Sequence, residues 1–423
     1  MARIEFQNLA HAYRPNPATL DDYALQPMSM VWEDGGAYAL LGPSGCGKTT
    51  LLNIVSGLVK PSEGKVLFDG RDVTALGARE RNIAQVFQFP VIYDTMSVFD
   101  NLAFPLRNRK IPAAEVRKRV HEVAEILDMT RDLPHKASNL AADAKQKISL
   151  GRGLVRQDVA AILFDEPLTV IDPAMKWMLR RQLKKIHQQL KLTLIYVTHD
   201  QVEALTFADE VVVMTNGRVV QKGGADALFL RPDHAFVGYF IGSPGMNLCP
   251  IELDAEGVKI GAQRLALDTD TLATLRHAHE HANGSLTLGI RPEFVRLAQE
   301  GEAGAVKAQV LRAQQLGNYQ LVTAQCDGHL FNAKLEPHVR VVDGPAWLRL
   351  AAPETVFFCN EEESTHASPK GPRDEQARQS ESVAAGRARV YLRRVLRDPA
   401  ADDSGQLFGA GHYQPDAACV RRH

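Results

Sequence analysis

The sequence predicts an α/β fold of the phosphate-loop type, built on a parallel sheet and followed by a small all-β domain. An apolar run ending at Leu41 leads directly into a glycine-rich loop and a helical pattern. A second apolar run, residues 159–164, ends on Asp165 and Glu166, and its length suits a strand buried on both faces of a parallel sheet. Beyond Pro232 the helical patterns give way to short β-like runs, whose spacing is typical of a small barrel or sandwich.

Length and composition narrow the class of protein. The chain has 423 residues, more than one compact core holds, so we expect two or three domains. A formal net charge of -1 argues against an extended nucleic-acid surface. The cysteines lie far apart without a C-x-x-C pair, which fits a reducing cytoplasm better than disulfides or zinc. Without a signal-peptide core or a long apolar run, we expect a cytoplasmic protein that only partners hold at a membrane.

In chain order, the apolar patterns predict alternating strands and helices through the first half. The predicted strands cover residues 2–9, 24–31, 37–41, 64–70, 83–88, 159–164, 192–198, 210–214 and 218–221. The predicted helices cover residues 51–58, 113–129, 145–156 and 176–190. Asn216 and Gly217 form a hairpin turn between the last two strands. Residues 93–106 are apolar without a clear period, so we expect an irregular patch there.

The second half carries shorter signals. The predicted strands cover residues 248–253, 258–260, 265–267, 286–290, 308–311, 321–323, 330–333 and 346–350. From Glu361 the composition turns polar and poor in aromatics, which predicts a disordered tail over residues 361–423 with a short helix near 390–396. A partner-binding arm is the alternative interpretation of this tail.

The glycine-rich loop has the spacing G-x-x-x-x-G-K-[ST] of a phosphate loop. Glycines let successive backbone N–H groups converge on a phosphate, and the helix that follows adds its positive N-terminal end. We expect Lys48 to reach the β- and γ-phosphates and the Thr49 hydroxyl to ligate Mg²⁺. A chance glycine turn is the alternative, which the flanking strand and helix disfavour. The candidate nucleotide-binding residues here are Gly42, Pro43, Ser44, Gly45, Cys46, Gly47, Lys48, Thr49 and Thr50.

Polar residues follow two other predicted strands at the same sheet edge, where ligands of open α/β sheets bind. Asp165 is positioned to hold Mg²⁺, and Glu166 is positioned to polarise an attacking water. A surface turn is the alternative for this pair. His199 ends the next strand; a lone histidine is more often a core residue, but this placement favours a role in sensing the γ-phosphate. Tyr13, upstream of the loop, either stacks on a purine base or is a half-buried loop residue.

The order and spacing of these motifs resemble the ATP-binding subunit of an ABC transporter, with a helical subdomain over about residues 89–160. The match covers residues 1–235. Residues 236–360 are similar to the OB/TOBE-like regulatory barrel of the maltose-type carbohydrate and polyol importers, and the tail has no counterpart. Residues 13–17 and 86–96 resemble the ATPase subunits of bacterial glycerol importers.

The resemblance implies roles for several residues. Tyr13 matches the aromatic that stacks on adenine, and Gln88 matches the glutamine that contacts Mg²⁺, together with Thr49 and Asp165, and senses the membrane subunit. Residues 89–96 match the groove that receives a permease helix, and Asp172 matches the aspartate that communicates across the dimer. The implied ligands are ATP and Mg²⁺. The implied partners are two permeases docking after Gln88 and, indirectly, a periplasmic solute-binding protein, at the cytoplasmic face of a bacterial inner membrane.

One departure from the family pattern concerns the signature loop, which is L-S-G-G-Q in the family. This chain has Leu140, Ala141, Ala142, Asp143 and Ala144 instead. The hydroxyl and both glycines that contact the partner subunit's γ-phosphate are replaced, and a carboxylate stands near a polyanion. At about 4 Å two like charges cost on the order of 1 kcal/mol in water and more when partly buried. The loop of residues 168–171 also departs from the usual Leu-Ser-Asn-Leu.

This departure predicts an asymmetric heterodimer. Each ATP in an ABC dimer lies between one subunit's phosphate loop and the other's signature, so a homodimer would have two poor sites. A second ATPase subunit with an intact signature would complete one good site with Lys48, Asp165, Glu166 and His199. The alternatives are a signature loop that still works, a non-catalytic regulatory subunit, and a soluble ABC-type ATPase not tied to transport. Against the last, no tandem ATPase unit or coiled-coil insertion is visible.

Overall fold

A computed structural model describes residues 2–156, 158–169, 171–282 and 284–360. The strands of its first part are β1 (Ile4–His11), β2 (Leu25–Trp32), β3 (Ala37–Leu41), β4 (Glu63–Phe68), β5 (Arg71–Asp72), β6 (Ala84–Val86), β7 (Ile162–Asp165), β8 (Leu194–Thr198), β9 (Glu210–Thr215) and β10 (Arg218–Gly223). The helices of this part are α1 (Lys48–Ser56), α2 (Val98–Arg107), α3 (Ala113–Ile126), α4 (Ala142–Leu154), α5 (Pro173–Leu190), α6 (Gln201–Phe207), α7 (Ala225–Leu230) and α8 (Ala235–Phe240).

A six-stranded sheet forms the centre of this part, in the order β10-β9-β3-β8-β7-β6. Strands β9, β3, β8, β7 and β6 are parallel, and β10 closes the edge as an antiparallel hairpin partner of β9. Every residue of β3 and β8 is buried, as expected for strands covered on both faces. The carboxyl ends of β3, β7 and β8 therefore meet at one edge. The predicted α/β fold is confirmed.

A second, antiparallel sheet, in the order β2-β1-β4-β5, shares a core with α1 and one face of the central sheet. Phe6 and Trp32 pack edge to face there, with ring centroids 4.8 Å apart. The other face of the central sheet is covered by a core to which α2, α3, α4 and α5 contribute. The hairpin between β9 and β10 turns through Asn216 and Gly217, whose φ angles are 47° and 75°, as a tight two-residue turn requires.

Two predictions for this part were wrong. Residues 93–106 are not irregular throughout, because α2 begins at Val98 after Ser97 caps it by accepting a hydrogen bond from the Asp100 amide. An internal Pro105 obscured its helical pattern. Strand β6 ends at Val86, so Gln88 lies two residues beyond the strand rather than on it. Among the described residues, no helix is long and apolar enough to cross a membrane.

The second part is mostly β-structure, and the predicted short strands are present except the one over residues 265–267, which overlaps a strand only at Leu265. Its elements are β11 (Asn247–Asp254), β12 (Gly257–Ile260), β13 (Gln263–Leu265), α9 (Thr269–Ala282), β14 (Leu286–Ile290), β15 (Arg296–Ala298), β16 (Ala305–Gln315), β17 (Gln320–Cys326), β18 (His329–Leu335), β19 (Gly344–Arg349) and β20 (Val356–Cys359).

Two five-stranded sheets, β13-β12-β11-β14-β20 and β15-β19-β16-β17-β18, share one apolar core in this part. Sequence patterns missed α9, which Asp268 caps by accepting hydrogen bonds from the Thr271 amide and hydroxyl at 2.8 and 2.6 Å. The tail over residues 361–423, including the expected helix near 390–396, lies outside the described residues.

Candidate nucleotide-binding and hydrolysis site

The loop between β3 and α1 requires glycine at defined positions. A Cβ on Gly42 would lie 2.2 Å from the Met214 carbonyl oxygen, so no side chain fits there without a backbone shift. Gly45 and Gly47 have φ angles of 83° and 99°, a region that side chains disfavour. A Cβ on Gly47 would also lie 2.5 Å from the Ala24 carbonyl oxygen. The loop can therefore curl tightly before the helix begins, which is the geometry that an anion cradle needs.

Lys48 begins α1 and folds back over this loop. Its ammonium donates to the carbonyl oxygens of Gly42 and Pro43 at 2.8 and 2.9 Å, and the residue is only 6% exposed. Cys46 points into the core beneath the loop, and burial raises the pKa of its thiol. Ser44 is exposed at the tip of the loop. The cation therefore lies inside the loop, on the side to which the α1 N-terminus points.

Thr49 and Asp165 are brought together from α1 and β7. The Thr49 hydroxyl neighbours the Asp165 carboxylate, and burial, followed by the Glu166 carboxylate, raises the pKa of Asp165. The ammonium of Lys48 and the Thr49 hydroxyl oppose this rise. A hydroxyl and a carboxylate that neighbour each other beside a phosphate loop are oxygen ligands of the kind that Mg²⁺ prefers. The residues present therefore fit a magnesium ion.

Glu166 and His199 are also in contact. The His199 Nδ1 atom lies 3.1 Å from a carboxylate oxygen of Glu166. Glu166 has a φ angle of 47°, which is strained for a side chain of its size, and its amide donates to the Val197 carbonyl at 2.9 Å. The Thr169 hydroxyl donates to the Glu166 carbonyl at 3.1 Å. Fixed backbone contacts on both sides hold the carboxylate at the end of β7, facing the residue that follows β8.

Tyr13 stands beside the start of α1. Its hydroxyl lies 3.2 Å from the Thr50 hydroxyl oxygen, and its ring meets His11 edge to face with centroids 4.6 Å apart. The tyrosine is 65% exposed, which leaves much of its ring free for a planar ligand. The half-buried alternative is therefore not what the structure has.

Gln88 and the segment after it form an exposed apolar surface. Phe89 and Val91 are 68% and 55% exposed, next to the half-buried Gln88. Arg152 of α4 donates to the Val91 carbonyl at 2.5 Å, and its guanidinium lies 4.8 Å from the ring centroid of Tyr93. Among the described residues, the Gln88 side chain makes no hydrogen bond with Thr49 or Asp165.

Gln146 of α4 was not among the residues predicted for the site. This residue is fully buried, and its side-chain amide donates to the carbonyl oxygens of Pro167 and Phe87 at 2.7 and 3.4 Å. It therefore joins the residue after Glu166 to the residue before Gln88. The available signal was a glutamine on the buried face of an amphipathic helix, where an unpaired amide would be costly.

The signature loop leads into α4, which begins at Ala142. Its N-cap is Ala141, which offers no side-chain acceptor, and Asp143 lies in the first turn. Asp172, before α5, is exposed and its carbonyl accepts a hydrogen bond from the Lys176 amide at 2.9 Å. Val170, in the departing loop of residues 168–171, lies outside the described residues.

A phosphate loop, a Thr–Asp pair and a Glu–His contact at one edge of a parallel sheet define an ABC-type ATPase. Three family models match the chain: "ABC transporter" over residues 25–169, "MalK OB fold domain" over residues 242–295 and "TOBE domain" over residues 288–358. The second and third cover most of the all-β part.

The chain belongs to the family of ATP-binding subunits of ABC importers, in which ATP hydrolysis is coupled to solute import. It is 38% identical over 336 residues to the sn-glycerol-3-phosphate import ATP-binding protein UgpC of Pectobacterium atrosepticum, covering 79% of this chain and 92% of the relative. It is 35% identical to the oligosaccharides import ATP-binding protein MsmX of Bacillus subtilis, covering 81% and 93%. Identity to the trehalose/maltose import ATP-binding protein MalK of Thermococcus litoralis is 38%, covering 76% and 89%.

Proposed function

We propose that this chain is the ATP-hydrolysing subunit that powers import of a small carbohydrate or polyol, with glycerol or a related solute favoured. The observation that carries the proposal is the Glu166–His199 contact beside the Thr49–Asp165 pair. The solute class follows the similarity to importers named for sn-glycerol-3-phosphate, oligosaccharides and trehalose or maltose. Two membrane permeases and a periplasmic binding protein complete the importer, with this subunit on the cytoplasmic face of the inner membrane.

In this proposal residues 1–235 form the ATPase unit, with a helical subdomain over about 89–160, and residues 236–360 form a regulatory unit. Permeases dock on the exposed apolar segment 89–96. An apolar surface of this kind suits a partner helix better than it suits water. Arg152 holds this docking segment in place through its hydrogen bond to the Val91 carbonyl and its contact with the Tyr93 ring.

Different residues of the chain bind the nucleotide, activate the attacking water and hold the metal ion. Backbone N–H groups of residues 42–49 and the N-terminus of α1 bind the phosphates, and Lys48 leaves its carbonyl partners to pair with them. Tyr13 stacks on adenine. Glu166 accepts a hydrogen bond from the attacking water, and His199, held against Glu166, contacts the γ-phosphate. Thr49, Asp165 and Gln88 would hold Mg²⁺, which neutralises charge on the phosphate oxygens when it is bound.

The signature loop supports an asymmetric dimer as the finer proposal. Ala141 caps α4 without a hydroxyl, and Asp143 places a carboxylate in the first turn. Both features weaken binding of the partner subunit's ATP by the signature loop. A second ATPase subunit with an intact signature would supply the missing contacts to the site of Lys48 and Glu166, while the opposite site would hold ATP with little turnover.

The test is ATPase activity and solute uptake of the complex reconstituted with its permeases. This chain is assayed alone and mixed with a sister ATPase subunit that has an intact signature. We expect activity only in the mixture, abolished by Lys48→Ala in this chain. A complex with this chain as its only ATPase subunit that transports at a normal rate would contradict the asymmetric dimer. No hydrolysis in any combination would contradict the ATPase proposal itself.

A further inference from the structure

Arg291 anchors the all-β part to the helices that end the first part. It follows β14, is 1% exposed, and its guanidinium lies 4.0 Å from the ring centroid of Phe229. Burial lowers its pKa to about 10, so it stays charged at neutral pH. A buried cation needs acceptors in fixed positions. Its side chain donates to the carbonyl oxygens of Leu228, Phe229, Gly238 and Ile241.

The segment of residues 240–242, here called the linker segment, is held from two sides. On one side Arg291 binds the Ile241 carbonyl. On the other, the Gln201 amide nitrogen donates to the Phe240 carbonyl, and the Gly242 amide donates to the Gln201 side-chain oxygen at 2.8 Å. Gly242 has a φ angle of 122°, and a Cβ there would lie 2.9 Å from the Arg291 Nη1 atom. The segment therefore connects Arg291 to Gln201 through hydrogen bonds.

Gln201 is the first residue of α6 and stands two positions after His199. The intervening Asp200 is fixed at both ends: its amide donates to the Thr198 hydroxyl at 3.0 Å, and its carboxylate accepts from the Glu203 amide at 3.0 Å. His199 therefore lies in a two-residue connection between β8 and α6 that hydrogen bonds hold in place. Because these hydrogen bonds restrict the backbone of Asp200, a shift of the α6 N-terminus is expected to move His199 as well.

We propose that Gln201 is a positioning residue for His199, through which the placement of the all-β part controls hydrolysis. This rests on the proposed ATPase function and adds its regulation. The route runs from Arg291 through the linker segment and the Gln201 amide to α6 and then to the Glu166–His199 contact. Breaking this route slows turnover and leaves ATP affinity unchanged, because the phosphate loop is not on it.

The chain contains a matched control for this clamp. Gln221 of β10 holds a neighbouring segment with the same chemistry. Its amide nitrogen donates to the Arg231 carbonyl at 3.0 Å, and the Asp233 amide donates to its side-chain oxygen at 3.0 Å. Gln221 is thus bonded to a carbonyl and to the amide two residues later, as Gln201 is, but it does not adjoin His199. Replacing each by alanine removes the same two kinds of hydrogen bond.

The experiment measures kcat and KM for ATP in the permease complex that contains this chain together with the sister ATPase subunit. The variants of this chain are Gln201→Ala, Gln201→Glu, Gln221→Ala, Arg291→Lys and the double variant Gln201→Ala/Arg291→Lys. Loss of two hydrogen bonds predicts that Gln201→Ala lowers kcat by about tenfold, with KM within about twofold. Gln201→Glu keeps the acceptor for the Gly242 amide and recovers part of kcat. Gln221→Ala leaves kcat within about twofold.

The double variant tests the route itself. If Arg291 acts through Gln201, Arg291→Lys lowers kcat in the wild-type background and has little further effect on Gln201→Ala. Equal losses of kcat in Gln201→Ala and Gln221→Ala, or effects of Gln201→Ala and Arg291→Lys that multiply independently, would overturn the proposal. An inactive wild-type complex would overturn the ATPase function instead, so the two failures are distinguishable.

Discussion

The Lys145 ammonium, at the start of α4, lies 3.1 Å from the Asp94 carboxylate in the segment that follows Gln88. The same helix carries Arg152, which supports Val91 and Tyr93. The exposed pair contributes little stability by itself, but it adds a second link between the helix and the docking segment. A permease that binds residues 89–96 would therefore move the start of α4, and with it the signature loop, as one body.

Arg152→Lys should weaken permease binding by about tenfold, because the lysine loses both the planar contact with Tyr93 and the guanidinium N–H that donates to the Val91 carbonyl. ATP binding by the isolated subunit should not change. The control is Arg107→Lys, since Arg107 makes a similar contact with Phe99 at 5.7 Å and lies outside the segment. Affinity is measured with permeases in detergent. Equal weakening by the two variants would argue against the docking role.

Glu166→Gln should lower kcat for ATP by about 10²–10³-fold while nucleotide affinity is retained, because the amide keeps the size of the side chain and loses its basicity. Glu210→Gln is the control, since Glu210 is also a partly buried carboxylate, paired with Lys222 at 3.4 Å. Steady-state hydrolysis and binding of a fluorescent ATP analogue separate the two effects. Unchanged turnover in Glu166→Gln would favour the regulatory alternative.

Replacement by alanine should destabilise the protein to different extents at two glycines of the phosphate loop. Gly42→Ala brings a Cβ to 2.2 Å from a backbone carbonyl, so we expect the free energy of unfolding to fall by about 3 kcal/mol. In Gly45→Ala the added Cβ has no neighbour within 4 Å, so only the strain of a φ angle of 83° lowers the free energy of unfolding, by about 1 kcal/mol. Urea unfolding measures both. Similar losses would mean that the contact with Met214 relaxes easily.

Two buried thiols should make stability fall at alkaline pH. Burial raises the pKa of Cys249 to about 12 and of Cys326 to about 11, so the folded chain keeps protons that the unfolded chain loses near pH 9. Stability is unaffected below that pH and falls as pH rises above it, by about 1 kcal/mol per thiol between pH 8.5 and 10. The double variant Cys249→Ala/Cys326→Ala should show a shallower fall in reducing urea titrations. An identical slope would contradict the assignment.

Elements that hold the candidate site residues were predicted from the sequence more accurately than elements whose role is packing. The phosphate loop and the run ending at Glu166 were visible because their composition is dictated locally, by glycine geometry and by burial on both faces. Helix α2 was hidden by Pro105, and α9 by its polar, histidine-rich surface. Gln146, Gln201 and Arg291 could not be assigned from sequence, since their roles depend on carbonyls that only the tertiary fold brings to them.

Repairing the signature loop gives the most direct test of why it differs. Ala141→Ser restores a hydroxyl at the N-cap of α4, which should stabilise the subunit by about 1 kcal/mol whatever its function. Asp143→Gly removes the carboxylate from the first turn and should matter only when a nucleotide faces it.

If the asymmetric dimer is correct, the double variant Ala141→Ser/Asp143→Gly should raise ATPase activity of this chain alone by about tenfold or more. Hydrolysis at the site that Glu166 serves in the mixed complex should change little, because that site already faces an intact signature. The control is Asp128→Gly, which removes an acidic residue of positive φ after α3, away from the loop. Full activity of the unmodified chain alone, with no gain in the double variant, would mean that the altered loop is already competent and that no second ATPase subunit is required.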